Sequence, residues 1–188
     1  MEVTLNEQQL EMCTTSTWDF SDLNALFLNC TMKRSPEMSV SHGRPDRDFE
    51  DDHGEEWNHC RSAAADYDIA TGVYPDMTEQ GWDTADWPQI YEKVKKAEIL
   101  VLTSSIWLGE KTSVCTRVIE RLYSTSSDLN EHGQYAYCGG VGGCLIMGNE
   151  DGAKHCSMII LYSLSHLGYV IPPQADSGWL GTVGPGPS

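Results

Sequence analysis

The alternation of apolar and polar positions is clearest over residues 97–123, AEILVLTSSIWLGEKTSVCTRVIERLY. Ile99, Leu100, Val101 and Leu102 form an unbroken apolar run, the mark of a strand buried on both faces in a parallel sheet covered by helices. Val114, Val118, Ile119 and Leu122 then recur at helical spacing, with Thr112 or Ser113 placed to cap. Between them, residues 103–111 predict a polar loop at the carboxyl end of a central strand. Ligands of open α/β sheets bind at that edge.

Elsewhere the pattern repeats the same alternation of strand and helix. Residues 25–29, ALFLN, predict the first strand. The loop after it, residues 30–42, gathers Thr31, Lys33, Arg34, Ser35, Ser39, Ser41 and His42. Hydroxyls, backbone N–H groups and two cations following a strand make a nest suited to a phosphate. Asp86, Pro88 and Gln89 open a helix whose apolar face is Ile90, Tyr91, Val94 and Ala97. Residues 144–147, CLIM, predict a third strand, followed by the glycine-bounded loop Gly148, Asn149, Glu150, Asp151, Gly152. A helix over residues 153–167 comes next, with Gly168 at its C-cap. Residues 169–171 predict a short last strand, stopped by Pro172 and Pro173. Residues 1–22 read as an irregular N-terminal extension. The glycine run 139–143 precedes a strand instead of following one, which is the wrong context for dinucleotide binding.

Composition narrows the function. A net charge of −16 over 188 residues argues against nucleic acid and anionic membranes as partners, so an anionic ligand needs local donors. Seven cysteines without a CxxC pair read as reduced, buried thiols of a cytoplasmic protein. No apolar run approaches the ~18 residues of a membrane span. No Ser–His–Asp or paired-carboxylate signature is present.

The segments NCTMKRSPE, TSSIWLGEKTS and GNEDGAKH, in this order on a βα-repeating chain, resemble the flavodoxin-like NAD(P)H-dependent FMN reductases and flavodoxins. The likeness covers residues 24–42 and 66–188. It implies an α/β fold, an open parallel sheet with helices on both faces, forming an FMN-binding domain over residues 23–188. By this resemblance Thr31, Lys33, Ser39, Ser41 and His42 stand where the family holds the FMN phosphate. Ser105, Ile106, Trp107, Leu108 and Gly109 stand against the isoalloxazine ring, and Gly148, Asn149, Glu150, Asp151 and Gly152 close over its other edge. Structural readings stand beside these: Trp107 as a core or interface aromatic, Glu150–Asp151 as a solvated turn, and His155 as a helix-face histidine. The implied activity is hydride transfer from NAD(P)H to FMN, then reduction of a small-molecule, quinone-like acceptor, in a family where homodimers are common. An electron-carrier flavodoxin without a nicotinamide site, or a remnant that has lost its cofactor, are the alternatives.

One stretch departs from the family. Residues 44–65, RPDRDFEDDHGEEWNHCRSAAA, have neither a helical nor a strand period where relatives carry a first helix and second strand. Carboxylates at Glu50, Asp51, Asp52, Glu55 and Glu56 are costly to bury. The expectation is an exposed, irregular segment, or at most a frayed helix, without strand pairing, and a sheet lacking that edge. Read one nucleotide out of phase, permitted codons can spell an amphipathic helix, a turn and a strand, so compensating frameshifts are a candidate origin. The tail after residue 171 also offers no last helix.

Overall fold

The computed structural model describes residues 7–18, 22–35 and 58–181. Its elements are α1 (Glu7–Thr15), β1 (Asn24–Asn29), β2 (Asn58–Ala63), α2 (Trp87–Lys95), β3 (Ile99–Trp107), β4 (Glu110–Lys111), α3 (Ser113–Ser124), β5 (Val141–Gly148), α4 (Ala153–Leu167) and β6 (Asp176–Leu180). The strand order is β2-β1-β3-β5-β6, all parallel, with β4 pairing antiparallel to β3. Counting the parallel strands alone, this is the flavodoxin-like order 2-1-3-4-5, whose direction reverses between β1 and β3.

The crossovers through α2, α3 and α4 all run the same way across the sheet, so right-handed connections put these helices on one face. Leu26, Leu28, Leu100, Leu102, Cys144 and Ile146 point to that face and are fully buried against Val118, Leu122, Ile160 and Leu164. Phe27, Val101, Leu145 and Met147 alternate with them and are half-buried.

Four sequence expectations are corrected. Strand pairing does occur within residues 44–65: β2 pairs with β1 from Asn24↔Asn58 to Asn29↔Ala63. A parallel ladder is made by backbone N–H and C=O groups, so it forms without a strand-like side-chain pattern, and small Ser62 and Ala63 are buried at its end. The sheet keeps that edge, which removes half of the structural motive for frameshifts; residues 36–57 lie outside the described residues. The predicted loop over residues 103–111 is instead the extension of β3 plus a hairpin, with Ile106↔Lys111 and Trp107↔Glu110 paired. The last strand is β6, since Val170 makes only an isolated bridge to Val141. Pro172 and Pro173 turn the chain, Gln174 takes a positive φ of 59°, and Gly178 allows approach to the Ile146 carbonyl. Finally, α1 forms inside the N-terminal extension, with Thr14 and Thr15 hydroxyls donating to the Glu11 carbonyl.

Of the cysteines, Cys30, Cys115, Cys144 and Cys156 are buried as expected, but Cys138 is exposed. Burial pushes the Cys144 thiol up to about 11, with a smaller opposing hydrogen bond to Ser157. Such thiols are poor nucleophiles at neutral pH. The 139–143 glycines serve packing: a Cβ at Gly142 would meet Leu164 at 3.2 Å, and one at Gly143 the Ala175 carbonyl at 3.0 Å.

Thr112 joins β1, β3 and α3. Its buried hydroxyl donates to the Cys30 carbonyl (2.6 Å) and accepts from the Cys115 N–H (3.1 Å), capping α3 as the sequence indicates. Its own N–H donates to Ser104 Oγ at 3.0 Å. Thr112→Val keeps the shape and leaves both partners unpaired in the core. The expected loss is about 2–3 kcal/mol in urea unfolding; a loss near zero would mean that water reaches the cap.

Candidate flavin site at the carboxyl edge of the sheet

At the reversal between β1 and β3, the first loop leaves β1 with Thr31 turned inward. Thr31 N–H donates to Asn29 Oδ1 at 3.2 Å, and Thr31 Oγ1 accepts from Lys33 N–H at 3.4 Å. Asn29 Oδ1 also accepts from the Thr103 hydroxyl at 3.1 Å, so β1 and β3 are fastened where the site begins. Ser35 then gives its N–H to Asp66 Oδ1 (2.8 Å) and its hydroxyl to Asp66 Oδ2 (2.7 Å). A carboxylate already sits on two donors of this loop. Ser39, Ser41 and His42 lie outside the described residues.

The second and third loops clasp one another. Leu108, at the hairpin tip, has a positive φ of 51° and donates its N–H to Glu150 Oε2 at 3.0 Å. Gly152 opens α4 at φ 114°, so close to Gly109 that a Cβ would lie 2.6 Å from Gly109 Cα. The Cys156 thiol donates to the Gly109 carbonyl at 3.4 Å. His155 Nε2 lies 2.8 Å from Glu110 Oε1. That hydrogen bond, opposed by slight desolvation, holds the Glu110 carboxyl below the usual carboxylate range. Leu108, Gly109, Glu110, Glu150, Asp151, Gly152 and His155 line a shallow cleft that is wide open to solvent.

The structure thus brings Leu108 and Gly109 together with Glu150, Asp151 and Gly152, and places half-buried Ser105, Asn149 and Gly148 on the strand ends beside them. Trp107 is 40% exposed at the end of β3. Ile106 is not at the cleft: it is buried in the core beneath Gly148, whose Cβ would meet it at 3.1 Å. Glu110 and His155 line the cleft and Asp66 meets the first loop, and the sequence pattern assigns none of the three there. Glu110 and His155 are 45 residues apart, and no local pattern links them.

No profile of a known protein family matches the sequence. The chain is 34% identical over 174 residues to the 8-demethyl-8-aminoriboflavin-5'-phosphate synthase of Streptomyces davaonensis, covering 88% of this chain and 66% of that one. It superposes on the crystal structure of RosB with bound intermediate 8-demethyl-8-formylriboflavin-5'-phosphate, with a TM-score of 0.74, 34% identity, and 88% and 68% of the two chains covered. The chain belongs to the flavodoxin-like family that includes this RosB protein. An apo NADH:FMN oxidoreductase (EMOB) has the same fold, with a TM-score of 0.53 at 13% identity over 84% of this chain and 74% of that one. The chain is also 60% identical over 171 residues to the protein named divalent metal cation transporter MntH of Mycobacterium bovis, covering 90% of this chain and 25% of that protein. The chain therefore spans a quarter of one curated relative and 66% of the other. The transport in that name is said of the Mycobacterium bovis protein. Among the described residues no helix is long and apolar enough to cross a membrane, and no three His, Cys, Asp or Glu side chains are grouped to hold a metal.

Proposed function

We propose that the chain binds riboflavin 5'-phosphate (FMN) at the β1/β3 reversal and acts as an oxidoreductase. Electrons come from NAD(P)H and pass to FMN or a quinone-like small-molecule acceptor. The observation that carries the reading is Ser35: its N–H and hydroxyl together hold a carboxylate, so the loop presents paired donors to an anion in a chain of net charge −16. Thr31 and Lys33 would shape and charge the phosphate subsite, with Ser39, Ser41 and His42 assigned there by the family resemblance. Ser105, Trp107, Leu108 and Gly109 would flank the ring on one side, and Gly148, Asn149, Glu150, Asp151 and Gly152 on the other. When bound, FMN supplies two-electron chemistry; the chain binds it, orients it and limits water. The Leu108–Glu150 and Glu110–His155 contacts hold the two ring loops at a fixed separation. The assembly proposed is a cytoplasmic homodimer without nucleic-acid or membrane partners.

A second reading has the flavin phosphate as substrate instead of cofactor. The 34% identity to a synthase named for a flavin phosphate favours it. Two assays separate the readings: NAD(P)H consumption with a quinone, and the mass of the flavin recovered after incubation. Turnover of NAD(P)H with an unchanged flavin mass supports the first; a changed mass supports the second. For both, Lys33→Ala is expected to weaken FMN binding about tenfold or more while riboflavin binding changes little, because a charge-assisted bond contributes roughly 1.5–3 kcal/mol. Equal losses for both ligands would remove Lys33 from the phosphate subsite.

A further inference from the structure

We infer that Asp66 sets how strongly the first loop accepts a phosphate, by occupying the donors that phosphate would use. The inference rests on the flavin-phosphate reading above and adds a residue to it. Asp66 ends the short helical turn Ala64–Asp66 that follows β2. The β1–β2 ladder, closing at Asn29↔Ala63, brings that turn beside the loop that leaves β1. Each carboxylate oxygen takes one Ser35 donor, at 2.8 Å and 2.7 Å. A phosphate monoester recognises the same pair of donors and carries about −1.5 to −2 charges. Two anions cannot share the pair, and those charges repel Asp66 whether or not it swings away. Ser35 and Asp66 are both exposed, so the exchange disturbs no core side chain. Asp66 is thereby a specificity-determining residue: it weakens phosphorylated ligands and leaves uncharged ones alone.

Two variants separate charge from loop positioning. Asp66→Asn keeps an oxygen for the Ser35 N–H and removes the charge; Asp66→Ala removes both. FMN and riboflavin binding are measured by flavin fluorescence, and the Ser35 amide resonance is followed while inorganic phosphate is added. Asp66→Asn is expected to bind FMN roughly three- to tenfold tighter at low salt, with riboflavin unchanged. The gain should shrink at about 0.5 M salt, as screening of exposed charges requires. The Ser35 amide should also shift at lower phosphate concentration than in the unmodified chain. Unchanged or weaker FMN binding in both variants, or equal gains for FMN and riboflavin, would overturn the inference and make Asp66 a loop-positioning residue. If no flavin binds to any variant, the flavin reading fails. The Ser35 phosphate titration then decides the role of Asp66 by itself: an earlier shift in Asp66→Asn upholds it, and identical titrations overturn it.

Discussion

Gly152→Ala is expected to destabilise the protein by about 3 kcal/mol or more and to abolish tight flavin binding. Two penalties combine at this position. The backbone φ of 114° lies where L side chains are strained, at a cost of roughly 1–3 kcal/mol. The new methyl would also stand 2.6 Å from Gly109 Cα and 2.8 Å from the Gly109 carbonyl, and backbone cannot yield as a side-chain tip can. Overpacking of that kind adds about 1–3 kcal/mol. Relief would part the hairpin from the β5–α4 loop, stretching the Leu108–Glu150 and Glu110–His155 bonds and opening the cleft. Gly81→Ala supplies the control. Its φ of 89° is also positive, but nothing lies within 4 Å of its added Cβ. Chemical unfolding and FMN titration of both variants isolate the clash. If Gly152→Ala loses no more stability than Gly81→Ala, the two loops are not locked together at this contact.

Arg121→Met is expected to cost at least about 3 kcal/mol and to loosen the loop before α2. The Arg121 side chain is fully buried in α3. It fans its guanidinium over three carbonyls: Nη1 donates to Gly72 (3.3 Å) and Tyr74 (2.5 Å), and Nη2 to Pro75 (2.7 Å). The guanidinium carbon lies 5.9 Å from the centre of the buried Trp87 ring. Burial draws the Arg121 pKa below its ordinary value, with Asp76 and Glu120 pulling the other way. Methionine matches the volume but leaves three carbonyls without donors. Arg121→Lys should fail partly, because one ammonium cannot span the fan. Urea unfolding gives the global loss, and hydrogen exchange over residues 66–82 gives the local one. A Met variant as stable as the parent would show that desolvating the guanidinium outweighs what its bonds return.

Much of the fold was legible in local pattern. The apolar run Ile99–Leu102, a cap at Thr112 or Ser113 (the structure uses Thr112), the helix over residues 153–167 and Gly168 at its end all match the sequence pattern. These signals are periodic or capping signals, which depend on neighbours a few residues away. Residues 58–63 were not legible as a strand, because an edge strand in a parallel ladder draws its bonds from the backbone and owes little to side-chain period. The hairpin after Trp107 was hidden for a related reason: its two-residue return strand is too short to carry any period. Likewise the sequence pattern predicts the last strand at 169–171, although the ladder to β5 forms at Asp176–Leu180.

The sequence by itself determined that this chain builds a parallel α/β sheet with polar loops at its carboxyl edge, because strand and helix periods and caps are written in adjacent residues. Only the tertiary structure decided which groups meet in those loops. Ser35 and Asp66 are 31 residues apart, Leu108 and Glu150 42, and Glu110 and His155 45. Each pair meets because strands adjacent in the sheet are distant in the chain. The register of the ladders, a property of backbone pairing, sets which side chains then stand within hydrogen-bond reach.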